Sequence, residues 1–494
     1  MLLALDQGTT SSRAIVFDDN LLIQASAQKE FQQYYPQSGW VEHDPEEIWN
    51  TQYEVACEAI EKAGVPPVQI QSIGITNQRE TILLWNRQDG KPLHNAIVWQ
   101  DRRTSETCRK LREDGHEETI REKTGLVLDP YFSASKVRWI LNSSEEIRQR
   151  AEEGHLCFGT IDSWLIWNLT GRKVHVTDVT NASRTLLFNI HSLKWDPELL
   201  EILNIPEKIL PKIVSCSEKI AYTKDGLFEE KILISGIAGD QQAALFGQMC
   251  TNPGDLKNTY GTGCFCIMNT GDKPVKSKNK MLTTIGYQIN NKTYYALEGS
   301  VFVAGAAVQW LRDQLGIISS ASEIESLAKT VENNGGVTFI PALAGLAAPY
   351  WDPHATGTIT GITRGTQKGH LARATLEAIA MRTKEIITAM QKDAKFKFKS
   401  LKVDGGASNN NLLMQIQSNL LGVNVIRPKT TETTALGAAF FAGLASGFWS
   451  SLEKLSSVWE IDREFNPKEN EETLSIINNW EKRILKMSNS QNNE

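Results

Sequence analysis

The chain has 494 residues, 41% of them hydrophobic and 22% charged, and a formal net charge of -6. These are ordinary globular values at a length that calls for more than one domain, and the acidic balance without any Lys/Arg run excludes a nucleic-acid partner, which needs a basic face. Seven scattered cysteines without a Cys-x-x-Cys pair point to a reducing compartment, and the opening Met1-to-Asp6 run lacks the basic region of a signal peptide.

Short β-branched runs alternate with longer amphipathic ones, the pattern of an α/β protein. Leu2 to Leu5 and Arg13 to Phe17 read as strands. The turn between them, Asp6-Gln7-Gly8-Thr9-Thr10-Ser11-Ser12, makes this a hairpin, not the strand–glycine turn–helix opening of a dinucleotide fold. Ile70 to Thr76 reads as a third strand, ending in Asn77-Gln78-Arg79-Glu80. Ile232 to Ser235 reads as a fourth, running through Gly239-Asp240 into an apolar helix from Gln241 to Phe246. Leu256 to Tyr260 and Cys264 to Met268 repeat the hairpin pattern around Gly261-Thr262-Gly263. Two related halves are therefore expected, meeting near Asn252-Pro253-Gly254. The longest apolar stretch, Val301 to Leu311, is too short to cross a bilayer. His370 to Met390 is a long helix with Leu371, Ala374, Ala378 and Met381 on its apolar side. Leu401 to Val403 is a strand, followed by Asp404-Gly405-Gly406-Ala407 and a helix from Asn411 to Leu421 that Gly422 stops. The polar tail Lys486 to Glu494 is expected to fray.

The unusual polar clusters all follow predicted strands, where the loops of an open α/β sheet converge on one crevice. The Asp6–Ser12 turn offers amides and hydroxyls that can wrap a phosphate, although such residues also make ordinary hairpin tips. Asp6 suits a magnesium shell, which takes a few carboxylates plus phosphate oxygens. Gly405-Gly406 lets backbone approach a ligand ahead of a helix N-terminus, or makes a plain tight turn. Asp240 reads either as a helix N-cap or as the carboxylate that takes a hydroxyl proton in phosphoryl transfer. Arg79-Glu80 pairs a donor fork with an acceptor, fit for a diol, or is a solvated charged turn. Trp99 and Tyr131 line a site or belong to the core. Cys264 and Cys266 share a strand face, where packing is the better reading than metal binding.

Several of these segments resemble the FGGY carbohydrate kinase family. They include Asp6 to Arg13, Asn77-Gln78-Arg79-Glu80-Thr81, Trp99-Gln100-Asp101-Arg102-Arg103-Thr104, Ser235 to Gly247 and Asn258 to Gly263. Tyr131 to Trp139, Gly357 to Ile362 and His370 to Glu377 resemble family signatures, and the likeness runs in register to about Gly447. The resemblance implies an α/β fold of two actin-like, ribonuclease-H-like domains, at 1–251 and 252–494, with the active-site cleft between them. It implies the reaction of glycerol with ATP and magnesium to give sn-glycerol 3-phosphate and ADP, the first step of glycerol catabolism. Asp240 is then the general base. Arg79, Glu80, Tyr131, Asp240 and Gln241 bind the glycerol hydroxyls, and Trp99 and Phe265 pack on its carbons. Thr9, Thr10, Ser11 and Arg13 hold phosphates, Thr262, Gly305, Gln309, Gly406 and Asn410 complete the nucleotide site, and Asp6 sits near the metal. The expected enzyme is a cytoplasmic homo-oligomer, a dimer or tetramer, without nucleic acid or membrane insertion.

Some relatives carry a phosphorylatable His, or a Gly-Gly-Thr-Arg loop for fructose 1,6-bisphosphate, in the region of Tyr222 to Lys231. Neither is present here, so neither control is expected. Two rival readings remain: a kinase of a pentulose or other sugar, and a non-enzymatic, ATP-gated binding protein on the same scaffold. The Asn77–Thr81 and Trp99–Thr104 segments favour glycerol over the first. The Arg79-Glu80 and Asp240-Gln241 pairs argue against the second.

Overall fold

The computed structural model describes residues 1–352, 354–468 and 471–490. The central strands of the first half are buried on both faces, which is why they read as near-continuous apolar runs. Leu2–Gln7 pairs antiparallel with Ser11–Phe17, and that strand pairs antiparallel with Ile23–Glu30. On its other side Leu2–Gln7 lies parallel to Ser72–Asn77, which lies parallel to Leu233–Gly239.

The second half repeats this order and these directions. Leu256–Tyr260 pairs antiparallel with Cys264–Gly271, and that strand with Lys292–Val301. On the other side Leu256–Tyr260 is parallel to Ser400–Asp404, itself parallel to Asn424–Pro428. Both units are ribonuclease-H-like, as in actin-type folds. Ser217–Tyr222 and Leu282–Ile289 join them, through the single pair Ser217↔Ile289, into one thirteen-stranded sheet. A separate four-stranded sheet (Glu42–His43, Ala96–Ile97, Ile82–Asn86 and Leu156–Thr160) carries the helices Ser105–Glu113 and Ser133–Leu141 beside the first unit.

Helices cross between the halves. Thr433–Ser446, late in the chain, packs on Leu2–Gln7, Ser72–Asn77 and Leu233–Gly239 of the first half. Glycine permits the approach: a Cβ at Gly74 would lie 2.1 Å from the Ala438 carbonyl oxygen, and one at Gly236 2.5 Å from the Ala442 nitrogen. In return Asp240–Gly247 packs against Leu256–Tyr260 and Cys264–Gly271. The two helices share a core, with the Phe246 and Phe441 rings stacked 4.3 Å apart.

Several elements run longer than their sequence signals. The fourth strand continues to Gly239, and the long helix spans Lys368–Ala394. The helix after the fourth strand starts at Asp240 with Gly239 as its N-cap, so Asp240 is not the cap. The helix Asn411–Leu421 has the expected ends, with Asn410 Oδ1 accepting from the Leu413 N–H and Gly422 left-handed at φ 69°. The last helix, Glu471–Ser490, runs into the tail expected to fray; residues 491–494 lie outside the described residues. No helix among the described residues is long and apolar enough to cross a membrane, and the cysteines are all free thiols.

Candidate active site

Strand register builds the site. Gln7, Asn77 and Gly239 stand in one row across three parallel strands. The residues that follow each of them, Gly8, Gln78 to Glu80, and Asp240, therefore leave the sheet at one place. Thr259 and Asp404 form the matching row of the second unit, and the turns beyond them carry Thr262 and Gly406.

Arg79 and Glu80 are 3% and 1% exposed, so the charged turn is not a solvated one. Arg79 Nε lies 3.1 Å from Asp240 Oδ1, and its Nη1 donates to Gln242 Oε1 at 3.1 Å. Its two terminal nitrogens meet both oxygens of Glu298, at 2.6 and 2.9 Å. Arg184 completes the cluster, donating to Glu80 Oε1 at 2.5 Å and Glu298 Oε1 at 3.0 Å. The Asp240 side chain is 33% exposed, against 2% or less for Arg79, Glu80 and Glu298. Of the three carboxylates, Asp240 is therefore the one that opens to the cleft.

The backbone at Glu80 is strained. Its φ is 61°, and the Thr81 N–H donates across it to the Arg79 carbonyl at 2.7 Å. This rare γ-turn of positive φ is the kind of outlier that collects at functional sites. Burial raises the Glu80 carboxyl from its ordinary range, against the pull of Arg184 and Arg79.

The rest of the acceptor side gathers around this cluster. Tyr131 Oη is 3.5 Å from Arg79 Nη2, and its ring stands edge-on to Trp99 at 5.6 Å. Trp99 Nε1 donates to Thr9 Oγ1 at 3.1 Å, which ties the wall of this pocket to the Gly8–Thr10 turn. Gln241 Oε1 accepts from the buried ammonium of Lys257 at 2.6 Å, and burial lowers that lysine's pKa. Phe265 lies half-buried at the start of its strand, opposite Ser300. Ser11 Oγ accepts from Gln28 Nε2 at 3.0 Å, and Thr10 is exposed at the hairpin tip. Arg13 is engaged by Gln28 at 2.9 Å and by Glu432 from late in the chain.

Across the cleft, Thr262, Gly305, Gln309, Gly406 and Asn410 line one cavity of about 450 Å³. The helix Gly305–Asp313 starts there, and helix N-termini attract phosphates. Gly405 has φ 82°, and a Cβ there would come 2.6 Å from the Tyr260 oxygen. A Cβ on Gly406 would meet no protein atom within 4 Å, so that residue presents bare backbone to the cavity.

Asp6 stands opposite Arg13 and beside Thr76 at the end of the first strand. Its carboxylate makes no hydrogen bond or ion pair among the described residues. Burial raises its pKa to about 7; Arg13 opposes this, while Glu432 and Asp240 add to it. A carboxylate without a partner beside the Gly8–Thr10 turn fits a magnesium ion. The described residues hold no cluster of three or more potential metal ligands, in keeping with an ion carried largely by phosphate oxygens and water.

The sequence reading missed Arg184, Glu298, Gln242, Lys257 and Glu432. Glu298 carried a signal, because a lone carboxylate inside the apolar strand Lys292–Val301 needs a buried partner.

Sequence comparisons agree with the architecture. The family models for the FGGY family of carbohydrate kinases match residues 1–247 (N-terminal domain) and 256–446 (C-terminal domain). The chain is 57% identical to a glycerol kinase of Paraburkholderia phytofirmans, over 98% of this chain and 97% of that protein. It is also 57% identical to glycerol kinase 2 of Thermotoga maritima, over 98% of each. The crystal structure of Plasmodium falciparum glycerol kinase with ADP superposes with a TM-score of 0.92 at 38% identity, covering 98% of both chains. The chain belongs to the FGGY family of carbohydrate kinases.

Proposed function

We propose that this chain transfers the terminal phosphoryl group of ATP to a terminal hydroxyl of glycerol, giving sn-glycerol 3-phosphate and ADP. The observation that carries the reading is the convergence of Arg79, Glu80, Tyr131, Asp240 and Gln241 beside the Thr9 turn, facing the cavity of Thr262, Gly305, Gln309, Gly406 and Asn410. Residues 1–251 supply the glycerol site and the base, and 252–494 the nucleotide site.

Arg79 donates to one glycerol hydroxyl while Glu80 accepts from another, and the Trp99 and Phe265 rings cover the carbons. Asp240, held by Arg79 Nε, orients the attacking hydroxyl and takes its proton as the oxygen–phosphorus bond forms in line with departing ADP. Thr9, Thr10, Ser11 and Arg13 hold phosphate oxygens, and Asp6 anchors the metal side. Magnesium, when bound, neutralises charge on the phosphate oxygens. Closure of the two halves excludes water and so limits ATP hydrolysis.

The enzyme is proposed as a cytoplasmic dimer or tetramer. Free cysteines support a reducing compartment, and light scattering measures the assembly. The test of the reaction is coupled ADP detection over a panel of glycerol, pentuloses and no acceptor. Strong glycerol dependence is the expected outcome; turnover indifferent to glycerol overturns the reading.

A further inference from the structure

Lys136, in the helix Ser133–Leu141, has a fully buried side chain. Its Nζ donates to three successive backbone carbonyls: those of Pro130, of Tyr131 at 3.1 Å and of Phe132 at 3.2 Å. It forms no ion pair among the described residues. An ammonium taken out of water without a carboxylate is costly, and an apolar side chain would fill the space more cheaply. The geometry shows what the charge does: its three protons match three carbonyl oxygens one for one.

Those carbonyls belong to the turn that carries Tyr131. From the other side Asp129 Oδ1 accepts the Tyr131 N–H at 2.8 Å, and the Asp129 carbonyl accepts the Phe132 N–H at 3.2 Å. The turn is therefore gripped at its amides by Asp129 and at its carbonyls by Lys136. Three neighbouring carbonyl dipoles aimed at one point repel one another unless a cation sits there. Without the ammonium nothing offsets that repulsion, and the turn that carries the Tyr131 ring loses its hold on the carbonyl side. The ring leaves this turn to meet Trp99, Arg184 at 5.6 Å, and Arg79.

We propose that Lys136 is a positioning residue of the acceptor site, whose ammonium gathers the 130–132 carbonyls and so aims the Tyr131 hydroxyl at the substrate. The inference rests on the reading of Tyr131 as a glycerol contact; Lys136 itself touches no substrate.

Burial pulls the Lys136 ammonium down to about 8, although Asp101, Glu80, Cys108 and Asp129 face it and act the other way. Of these, Asp101 is held by Arg103, and burial pushes the Cys108 thiol up to about 11, so it stays neutral. The sign follows from a native pKa below the unfolded 10.5. Between those values the unfolded chain holds a proton that the native chain has lost. Rising pH therefore leaves two donors for three carbonyls and loosens the clamp, while this group's contribution to stability increases. Loss of glycerol affinity above pH 8 is thus separable from unfolding.

The experiment compares wild type with Lys136→Met. Glycerol KM and ATP KM are measured at pH 7 and pH 9, alongside 19F spectra of 5-fluorotryptophan-labelled protein without substrate, with the Trp99 resonance assigned by Trp99→Phe. In wild type, glycerol KM rises about tenfold from pH 7 to pH 9, and the Trp99 resonance shifts with a midpoint near pH 8. In Lys136→Met, glycerol KM is high at both pH values and the resonance does not titrate. A Lys136→Met protein, or Lys136→Gln if the first does not fold, whose glycerol KM and Trp99 resonance at pH 7 match wild type overturns the proposal. Absence of glycerol turnover in wild type with the Trp99 titration intact removes the glycerol reading and leaves the clamp standing.

Discussion

Glu298 and Arg79, 219 residues apart, form a two-point ion pair in which both side chains are buried. The carboxylate comes from a strand of the second repeat, and the guanidinium from the turn after Ser72–Asn77. Arg184 shares the same carboxylate. The proposed acceptor pocket is thus braced from both halves of the chain, though every polar residue expected from sequence to touch glycerol comes from the first.

Glu298→Gln removes the charge and keeps the shape. Two buried guanidiniums then share Glu80 and Asp240, and breaking such a pair costs about 3–5 kcal/mol. Urea unfolding is expected to show a loss of that size, and glycerol KM to rise while ATP KM holds. Burial would raise the Glu298 pKa, but Arg184 and Arg79 outweigh it and hold the carboxyl near about 2. The native value is depressed, so this stabilisation is complete above pH 4.5 and falls away as pH drops toward 2. An acid titration of stability is therefore flatter in the variant over that window.

Asp240→Asn keeps a hydrogen-bonding side chain and loses the proposed base. Turnover is expected to fall about 100- to 10,000-fold, the usual worth of general base catalysis. Glycerol binding by calorimetry is expected to stay within a few-fold of wild type. Near-normal kcat excludes Asp240 as the base.

Asp6→Asn takes away the carboxylate on the metal side. The magnesium concentration for half-maximal rate is expected to rise about tenfold or more, since a neutral amide is a weaker ligand for a hard cation. Glycerol affinity measured without nucleotide is unchanged. A magnesium dependence like that of wild type removes Asp6 from the metal side.

Gly406→Leu places a side chain in the cavity instead of against protein. ATP KM is expected to increase at least tenfold with glycerol KM unaltered. Thermal stability should move little, because a Cβ there meets no protein atom within 4 Å and the cavity lies beyond it. Unaltered ATP KM shows that the nucleotide lies elsewhere.

Local signals served best where one segment carried its own stop and start. Asn410 as cap and Gly422 as terminator marked both ends of one helix. The two Gly-Thr hairpins revealed the repeat, because each tip follows a strand of the same place and direction. The signal fell short at Leu233–Gly239, where the strand read from sequence ends at Ser235 and Gly236 opens the stretch after it. Gly236 continues the strand because Thr433–Ser446 lies so close that a Cβ there would meet its backbone. It failed at Arg184, ordinary within its own segment, and it stopped short at Glu298, whose lone carboxylate calls for a buried partner without naming Arg79 or Arg184. The Asp240 alternatives were undecidable from spacing, since a helix start and a catalytic carboxylate ask for the same residue at the same place.

The crossing of helices between halves bears on how this chain can be made. A fragment of residues 1–251 would lack the helix that covers Gly74 and Gly236, leaving a wet groove over the middle of its sheet. The complementary fragment would carry that helix with its Ala438 and Phe441 face bare. Neither piece is expected to accumulate as a soluble, protease-resistant product by itself. Co-expressed, the two should find each other, which makes the chain a natural candidate for a split reporter whose reassembly is read as growth on glycerol.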